Sequence, residues 1–261
     1  MKKIISRKKK VFVITAAGGN GTAIRILEHA LSRAEYASQG KQLLQDMERF
    51  GAEQAGFLIP ENNHFEMAGG EFCGNAARSA AILLSEIQRK PRVSFTMSGY
   101  NGIVSATVKK TGKNTYFVEC VFPGLLADRR DITLSNGQHA TVVDLGGIVH
   151  VVIEAPFPSE KNAYQAAHRA ITRELNFENR SAVGVIWIER VKDSVKIHPV
   201  VWVKDVDTFF YEQSCGSGTI AVSKVTGAHS IIQPTGKKIE AEITPEAIIL
   251  RSEMEVVYIG D

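Results

Sequence analysis

Two of the three cysteines in this 261-residue chain stand in the same local setting. Cys73 lies in Glu71-Phe72-Cys73-Gly74-Asn75-Ala76-Ala77, and Cys215 in Gln213-Ser214-Cys215-Gly216-Ser217-Gly218-Thr219. Each is followed by glycine, a small polar residue and a stretch able to run as an apolar helix. That pattern sets a thiol at a helix N-terminus twice. There, unpaired backbone N–H groups and the helix dipole favour a thiolate and can hold a carboxylate. Removing the Cα proton of an amino acid without a cofactor needs a base on one face, an acid on the other and donors around the carboxylate. Thiols suit both roles, because a pKa of about 8.5 can be lowered toward neutrality at a helix end. The amides near Gly74, Asn75, Gly216 and Ser217 are the expected carboxylate donors. Cys120, inside a strand-like stretch over 116–122, lacks this context and reads as core.

The elements that must position these residues recur in order. Strands are expected over 10–16 and 23–27, then a helix over 35–50 with Tyr36, Leu43, Leu44, Met47 and Phe50 at helical spacing and Gly51 as its stop. Strands over 54–59 and 64–67 lead to the first cysteine loop. A helix over 75–88 follows, rich in Ala, Ile and Leu and apolar enough to be buried, and then strands over 93–97, 103–109 and 116–122. Pro123-Gly124 marks a boundary. Beyond it come strands over 141–143 and 150–154, a helix over 160–175 and strands over 183–189 and 195–204. The second cysteine loop, a helix from Gly218 and strands over 239–243, 247–251 and 255–259 close the chain. The reading is an α+β protein of two similar halves, 1–124 carrying Cys73 and 125–261 carrying Cys215, with the site between them and the last strand free to pack on the first half.

Composition narrows the partners. A formal net charge of +3 is too small to imply nucleic acid or a membrane surface, and no apolar stretch approaches the length of a transmembrane helix. The basic cluster Lys2, Lys3, Arg7, Lys8, Lys9 and Lys10 reads as a solvated tail, and the apolar run after it is at the short limit for a signal peptide. Cysteines without a CxxC pair argue against a disulfide framework or a zinc site and fit a cytoplasmic protein. The histidines are scattered without ligand spacing, so no metal is expected. Gly18-Gly19-Asn20-Gly21 has neither Rossmann spacing nor a P-loop lysine. The expected partner is a small amino acid, handled without a cofactor. A metal or redox protein and a non-catalytic amino-acid-binding module are the competing classes.

The two cysteine motifs, with Arg78 after the first, resemble those of the diaminopimelate epimerase superfamily of cofactor-independent racemases, and the resemblance spans nearly the whole chain. It implies two pseudo-symmetric α+β domains, each a central helix wrapped by mostly antiparallel strands, and one catalytic cysteine from each. It also implies that Asn20, in Gly19-Asn20, contacts substrate, and it matches His150 to the histidine of an Asn-Pro-His segment. The segment before Cys215 lacks the Glu-Arg-Gly run that grips diaminopimelate, and Gly147-Ile148-Val149-His150 lacks the Asn of Asn-Pro-His. Phenazine-type relatives lack the cysteine pair, and proline racemase-like ones have Gly-His where this chain has Gly74-Asn75.

A nearer resemblance is to the histidine racemases of staphylopine-type metallophore synthesis. It rests on Glu35-Tyr36-Ala37-Ser38, Glu53-Gln54-Ala55-Gly56-Phe57, Met67 to Ala76, Glu212 to Thr219 and Gln233-Pro234-Thr235-Gly236. This resemblance implies L-histidine to D-histidine racemisation, with Glu53 contacting the substrate and a homodimer as in relatives. Diaminopimelate or another amino acid is the alternative substrate.

Overall fold

A computed structural model describes residues 11–192 and 194–260. The basic cluster from Lys2 to Lys10 lies outside the described residues. The first half runs β1 (Val11–Ala16), β2 (Gly19–Ile26), α1 (Arg33–Met47), β3 (Ala52–Ile59), β4 (His64–Met67), α2 (Gly74–Gln88), β5 (Arg92–Met97), β6 (Tyr100–Lys110) and β7 (Thr115–Pro123). The second runs β8 (Asp128–Thr133), β9 (His139–Asp144), β10 (Val149–Glu154), α3 (Lys161–Glu174), β11 (Ala182–Val191), β12 (Ser194–Val203) and β13 (Thr208–Tyr211). It continues through α4 (Gly216–Thr226), β14 (Ser230–Ile232), β15 (Lys238–Ile243) and β16 (Ala247–Gly260).

The strands join in one α+β sheet system whose order explains how two helices come to be buried. Strands β1 to β7 lie side by side in chain order, and β16 pairs antiparallel with both β7 and β1, closing a ring. Helix α2 touches every strand of that ring. Its sequence allows this: the run from Gly74 to Leu84 is buried on all sides, and its many alanines let the strands approach. Strand β5 matches, with Val93, Phe95 and Met97 turned inward and Arg92, Ser94 and Thr96 outward. From β16 the sheet runs on through β15, β14, β12, β11, β10 and β9 to an edge at β8, and α4 packs against β9 to β12 and β14 to β16. One apolar core spans both halves, with Phe72 and Val104 from the first and Ile220 and Ile186 from the second.

The other two helices cover outer faces of the sheet. Helix α1 starts in a capping box, in which Ser32 accepts from the Glu35 amide and Glu35 accepts from the Ser32 amide at 2.8 Å. It lays Tyr36, Leu43 and Met47 over Val13, Ala23 and Phe57. Helix α3 lays Tyr164 and Ile171 over Val151, Val185 and Trp187.

Four local expectations change. The two strands expected over 247–251 and 255–259 are one, β16, because the alternation of buried Ser252, Met254 and Val256 with exposed Glu253, Glu255 and Val257 runs straight through Ser252. Strand β2 begins at Gly19 rather than at residue 23 and takes in Asn20, whose positive φ of 47° goes with a shift in the β1–β2 register. Helix α4 begins at Gly216, two residues earlier than its apolar run suggests, because Cys215 caps it. Strands β8, β13 and β14 were not anticipated. The first is a charged, largely exposed edge and the other two are only 4 and 3 residues long.

Candidate active site

The two cysteines cap their helices in one conformation: φ −135° and ψ 110° at Cys73, φ −136° and ψ 109° at Cys215. Each Sγ accepts from the amide three residues on, Ala76 at 3.4 Å and Gly218 at 3.2 Å. The amides of Gly74, Asn75, Gly216 and Ser217 fall in the first helical turns, where no carbonyl of the same helix can reach them. The two helix starts abut. A methyl group on Gly216 would lie 2.9 Å from Asn75 Oδ1 and 3.1 Å from its backbone nitrogen, so a side chain there would push the helices apart.

Side chains behind the loops hold that junction. Asn75 Nδ2 donates to the Ser214 carbonyl at 3.0 Å, and Asn20 Nδ2 donates to the same oxygen at 2.8 Å. Arg78, fully buried, donates to Asn75 Oδ1. Because a guanidinium only donates, this contact fixes which way the Asn75 amide faces. On the other side, the Cys215 amide donates to Gln233 Oε1 at 2.8 Å, and Gln233 Nε2 donates to Thr219 at 3.0 Å.

Both thiols open on a cleft lined also by Asn75, Gly216, Ser217 and Glu53. Asn20 and Gly74 stand behind it: Asn20 is buried against Ser214, and Gly74 backs onto Gly216 and Leu250. His150 lies outside the lining, fully buried, with neither ring nitrogen partnered, and burial pushes its pKa down to about 3. Cys120 is buried in the core. Among the described residues no group of three or more His, Cys, Asp or Glu side chains is arranged to hold a metal ion, and no helix is long and apolar enough to cross a membrane.

Sequence reasoning passed over five polar residues of the cleft: Lys41, Gln54, Glu71, Thr208 and Glu212. The Cys73 thiol donates to Gln54 Oε1 at 2.9 Å, and Gln54 Nε2 donates to Glu212 Oε1 at 2.9 Å, so one amide ties the first thiol to a carboxylate. The available signal was position, since Glu71 and Glu212 each lie within one turn of a cysteine and Gln54 directly follows Glu53.

Electrostatics also correct an expectation. The thiols are not lowered toward neutrality. Burial, and then the Glu212 charge, push Cys73 up to about 12 and Cys215 well above its usual value, and the helix-end donors offset only part of this. The carboxyls rise as well: Glu53 to about 8 through burial and then Glu212, Glu212 to about 7 through burial, and Glu71 to about 7 through burial. The cleft thus sets thiols held toward their protonated form beside carboxyl groups raised toward neutrality.

Known structures share this arrangement of strands and helices. A predicted epimerase from Pseudomonas aeruginosa matches with a TM-score of 0.65 at 13% identity, covering 97% of this chain and 99% of that one. A hydroxyproline epimerase from Agrobacterium vitis, with trans-4-hydroxy-L-proline bound, matches with a TM-score of 0.56 at 13% identity, covering 95% and 89%. A histidine racemase of Fusobacterium nucleatum subsp. nucleatum is 28% identical over 220 residues, 80% of this chain and 81% of that one. With the sequence relatives, the chain is an amino-acid racemase, an isomerase acting on a small amino acid. Residues 12–248 match the family described as histidine racemase CntK N-terminal domain, and the chain belongs to that family.

Proposed function

We propose that this racemase interconverts L- and D-histidine without a cofactor, by a two-base mechanism in which Cys73 and Cys215 work from opposite faces of Cα. The observation that carries the reading is the pair of abutting helix N-termini, each capped by a thiol in the same backbone conformation and both lining one cleft. The substrate carboxylate sits at the amides of Gly74, Asn75, Gly216 and Ser217, where helix ends favour an anion. Its α-ammonium lies against Glu53, with Asn20 and Glu212 behind. One thiolate takes the Cα proton while the opposite thiol delivers its own to the other face; reversal of direction exchanges the roles.

High thiol pKa values make deprotonation conditional on substrate. The largest electrostatic opposition to either thiolate is the Glu212 charge. A bound ammonium beside Glu53 and Glu212 offsets that charge, so a thiolate forms chiefly in the loaded cleft. A resting enzyme with protonated thiols is thereby protected from oxidation.

Two pseudo-symmetric domains, 1–124 and 125–261, each with its central helix, fit this division of labour between cysteines. The need for two free thiols supports a cytoplasmic setting. By resemblance we further propose a homodimer whose D-histidine feeds opine metallophore synthesis.

The deciding experiment follows the α-proton of L-histidine by NMR in D2O with purified protein and no added cofactor. Loss of the signal with D-histidine appearing is the expected result. No exchange removes histidine and turns the same assay to diaminopimelate and a panel of other amino acids.

A further inference from the structure

We propose that Arg78 is the shared counter-cation of the two cleft thiols, stabilising whichever of Cys73 and Cys215 is ionised. Its place in racemisation rests on the two-thiol reading above; its effect on the thiols does not. Arg78 is a positioning residue by this account, acting through the thiols without touching substrate. It lies in α2 one turn beyond Cys73, among Ala76, Ala77, Ala80 and Ala81, and is fully buried. Its Nη2 donates to Asn75 Oδ1, and the Asn75 amide donates in turn to the carbonyl of Ser214, next to Cys215. A methyl group on Gly216 would lie 3.0 Å from the same Nη2. The guanidinium therefore stands behind the junction of the two capped helix starts.

Its surroundings supply no other anion. The half-buried arginines have carboxylates: Arg180 pairs with Asp144, and Arg251 with Glu119 and Glu242. Among the described residues no carboxylate pairs with Arg78, and its Nε and Nη1 are buried without a hydrogen-bond partner. The charges that act on it are those of Cys120, Cys73 and Cys215, in that order. Cys120 faces it from β7 but lies in the core, outside the cleft lining. A buried cation without a partner is costly, and burial lowers this one to about 10, which still leaves it charged at neutral pH.

Attraction between charges is mutual, so a guanidinium stabilised by each thiolate stabilises each thiolate. It works against desolvation and against the carboxylates across the cleft, Glu212 for both thiols and Glu71 for Cys73. The charge count adds a second effect. Arg78 with one thiolate and one thiol is neutral, whereas with two thiolates the trio is negative. One cation thus favours the first ionisation and leaves the second opposed, which is the state a two-base exchange needs.

The test alkylates the free enzyme with iodoacetamide at mildly alkaline pH and follows Cys73 and Cys215 separately by peptide mass spectrometry. Wild type, Arg78→Lys, Arg78→Gln and Arg78→Met are compared. Lys and Gln can both donate to Asn75 Oδ1, but only Lys keeps the charge. Arg78→Gln and Arg78→Met are expected to slow alkylation of both cysteines by about tenfold or more, and Arg78→Lys to stay within about threefold of wild type. Histidine turnover should follow the same order in kcat with KM little changed. A packing role alone would lower Tm without separating Lys from Gln in thiol reactivity. Wild-type reactivity in Arg78→Gln, equal losses in Arg78→Lys and Arg78→Gln, or a loss confined to one cysteine overturns the proposal. If Arg78→Met does not fold, Arg78→Lys against Arg78→Gln carries the comparison. If neither neutral variant folds, Arg78→Lys decides alone, reactivity within about threefold keeping the proposal and a larger loss overturning it. If wild type racemises no amino acid, the two-thiol reading fails by itself, and alkylation still decides Arg78.

Discussion

The two cysteine loops match in backbone and differ in surroundings. Cys73 and Cys215 cap their helices within 1° of each other in both dihedral angles. Yet the Cys73 thiol meets a neutral amide, Gln54, whereas the Cys215 sulfur lies 3.7 Å from the Ser217 hydroxyl and its loop hangs from Gln233. Glu212, three residues before Cys215, raises both thiols and reaches Cys73 through Gln54. Geometry alone would make the two thiols interchangeable; the polar shell makes them distinct. The two-base racemisation proposed above needs that combination, because two thiols on opposite faces of Cα would hold one proton between them.

The largest effect tests the mirror relation. Cys73→Ser and Cys215→Ser should each lower racemisation by about 10³-fold or more while the far-UV spectrum stays native. In D2O, one variant should lose α-proton exchange mainly with the L-enantiomer and the other mainly with the D-enantiomer. Loss of the same enantiomer in both would collapse the two-face arrangement.

Glu212→Gln comes next, removing the charge both thiols feel. Alkylation of the free enzyme across pH should show both cysteines titrating lower, and turnover should fall about tenfold to a hundredfold because the ammonium loses a counter-charge. A change confined to one thiol would contradict the shared influence of Glu212.

Gln54→Ala and Gln233→Ala then separate the halves. The first should alter the titration of Cys73 more than that of Cys215. The second strips the Cys215 amide and Thr219 of their partner and should cost about 1–3 kcal/mol of stability, read by denaturant melts. Equal effects of both substitutions on both thiols would erase the distinction drawn above.

The smallest effect is on stability against pH. Glu53, Glu71 and Glu212 titrate at about 8, 7 and 7 in the folded protein against 4.5 ordinarily, so the folded state holds more protons than the unfolded one below those values. His150 and His168, lowered to about 3 and 4 from 6.5, work the other way, mainly below 6.5. Between pH 6.5 and 8 the raised carboxyls outweigh the lowered histidines, and stability should fall as pH rises. A Tm that climbs through this window would contradict the buried-carboxyl assignments, and Glu53→Gln should flatten the decline.

What could be read in advance followed from local chemistry. The cysteine caps, α2 with its alanine-rich run, and β4 at residues 64–67 depend on neighbours in sequence, and they emerged with boundaries close to those observed. Strand β8, Asp128-Arg129-Arg130-Asp131-Ile132-Thr133, has no apolar alternation because it is an edge, so it left no pattern to read. Gln54, Glu71 and Glu212 look like ordinary surface residues; only the closing of distant strands around them buries Glu71 and Glu212 and half-buries Gln54. The helix-end effect on the thiols was visible, but the burial that overrides it was not, because desolvation is set by tertiary packing.

Strand β16 gives the fold a kinetic character. Val11 pairs with Gly260, so the ring around α2 is sealed by a contact between segments almost a full chain apart. The same strand carries β15 and begins the sheet around α4, so both halves wait on one stave. Local hairpins such as β5–β6 and β6–β7 form quickly, whereas a closure of this sequence separation pays its loop entropy first and is slow. A fragment of residues 1–124 would hold an apolar helix inside a barrel with one stave missing and two open edges, a species prone to aggregate rather than a self-standing half-enzyme.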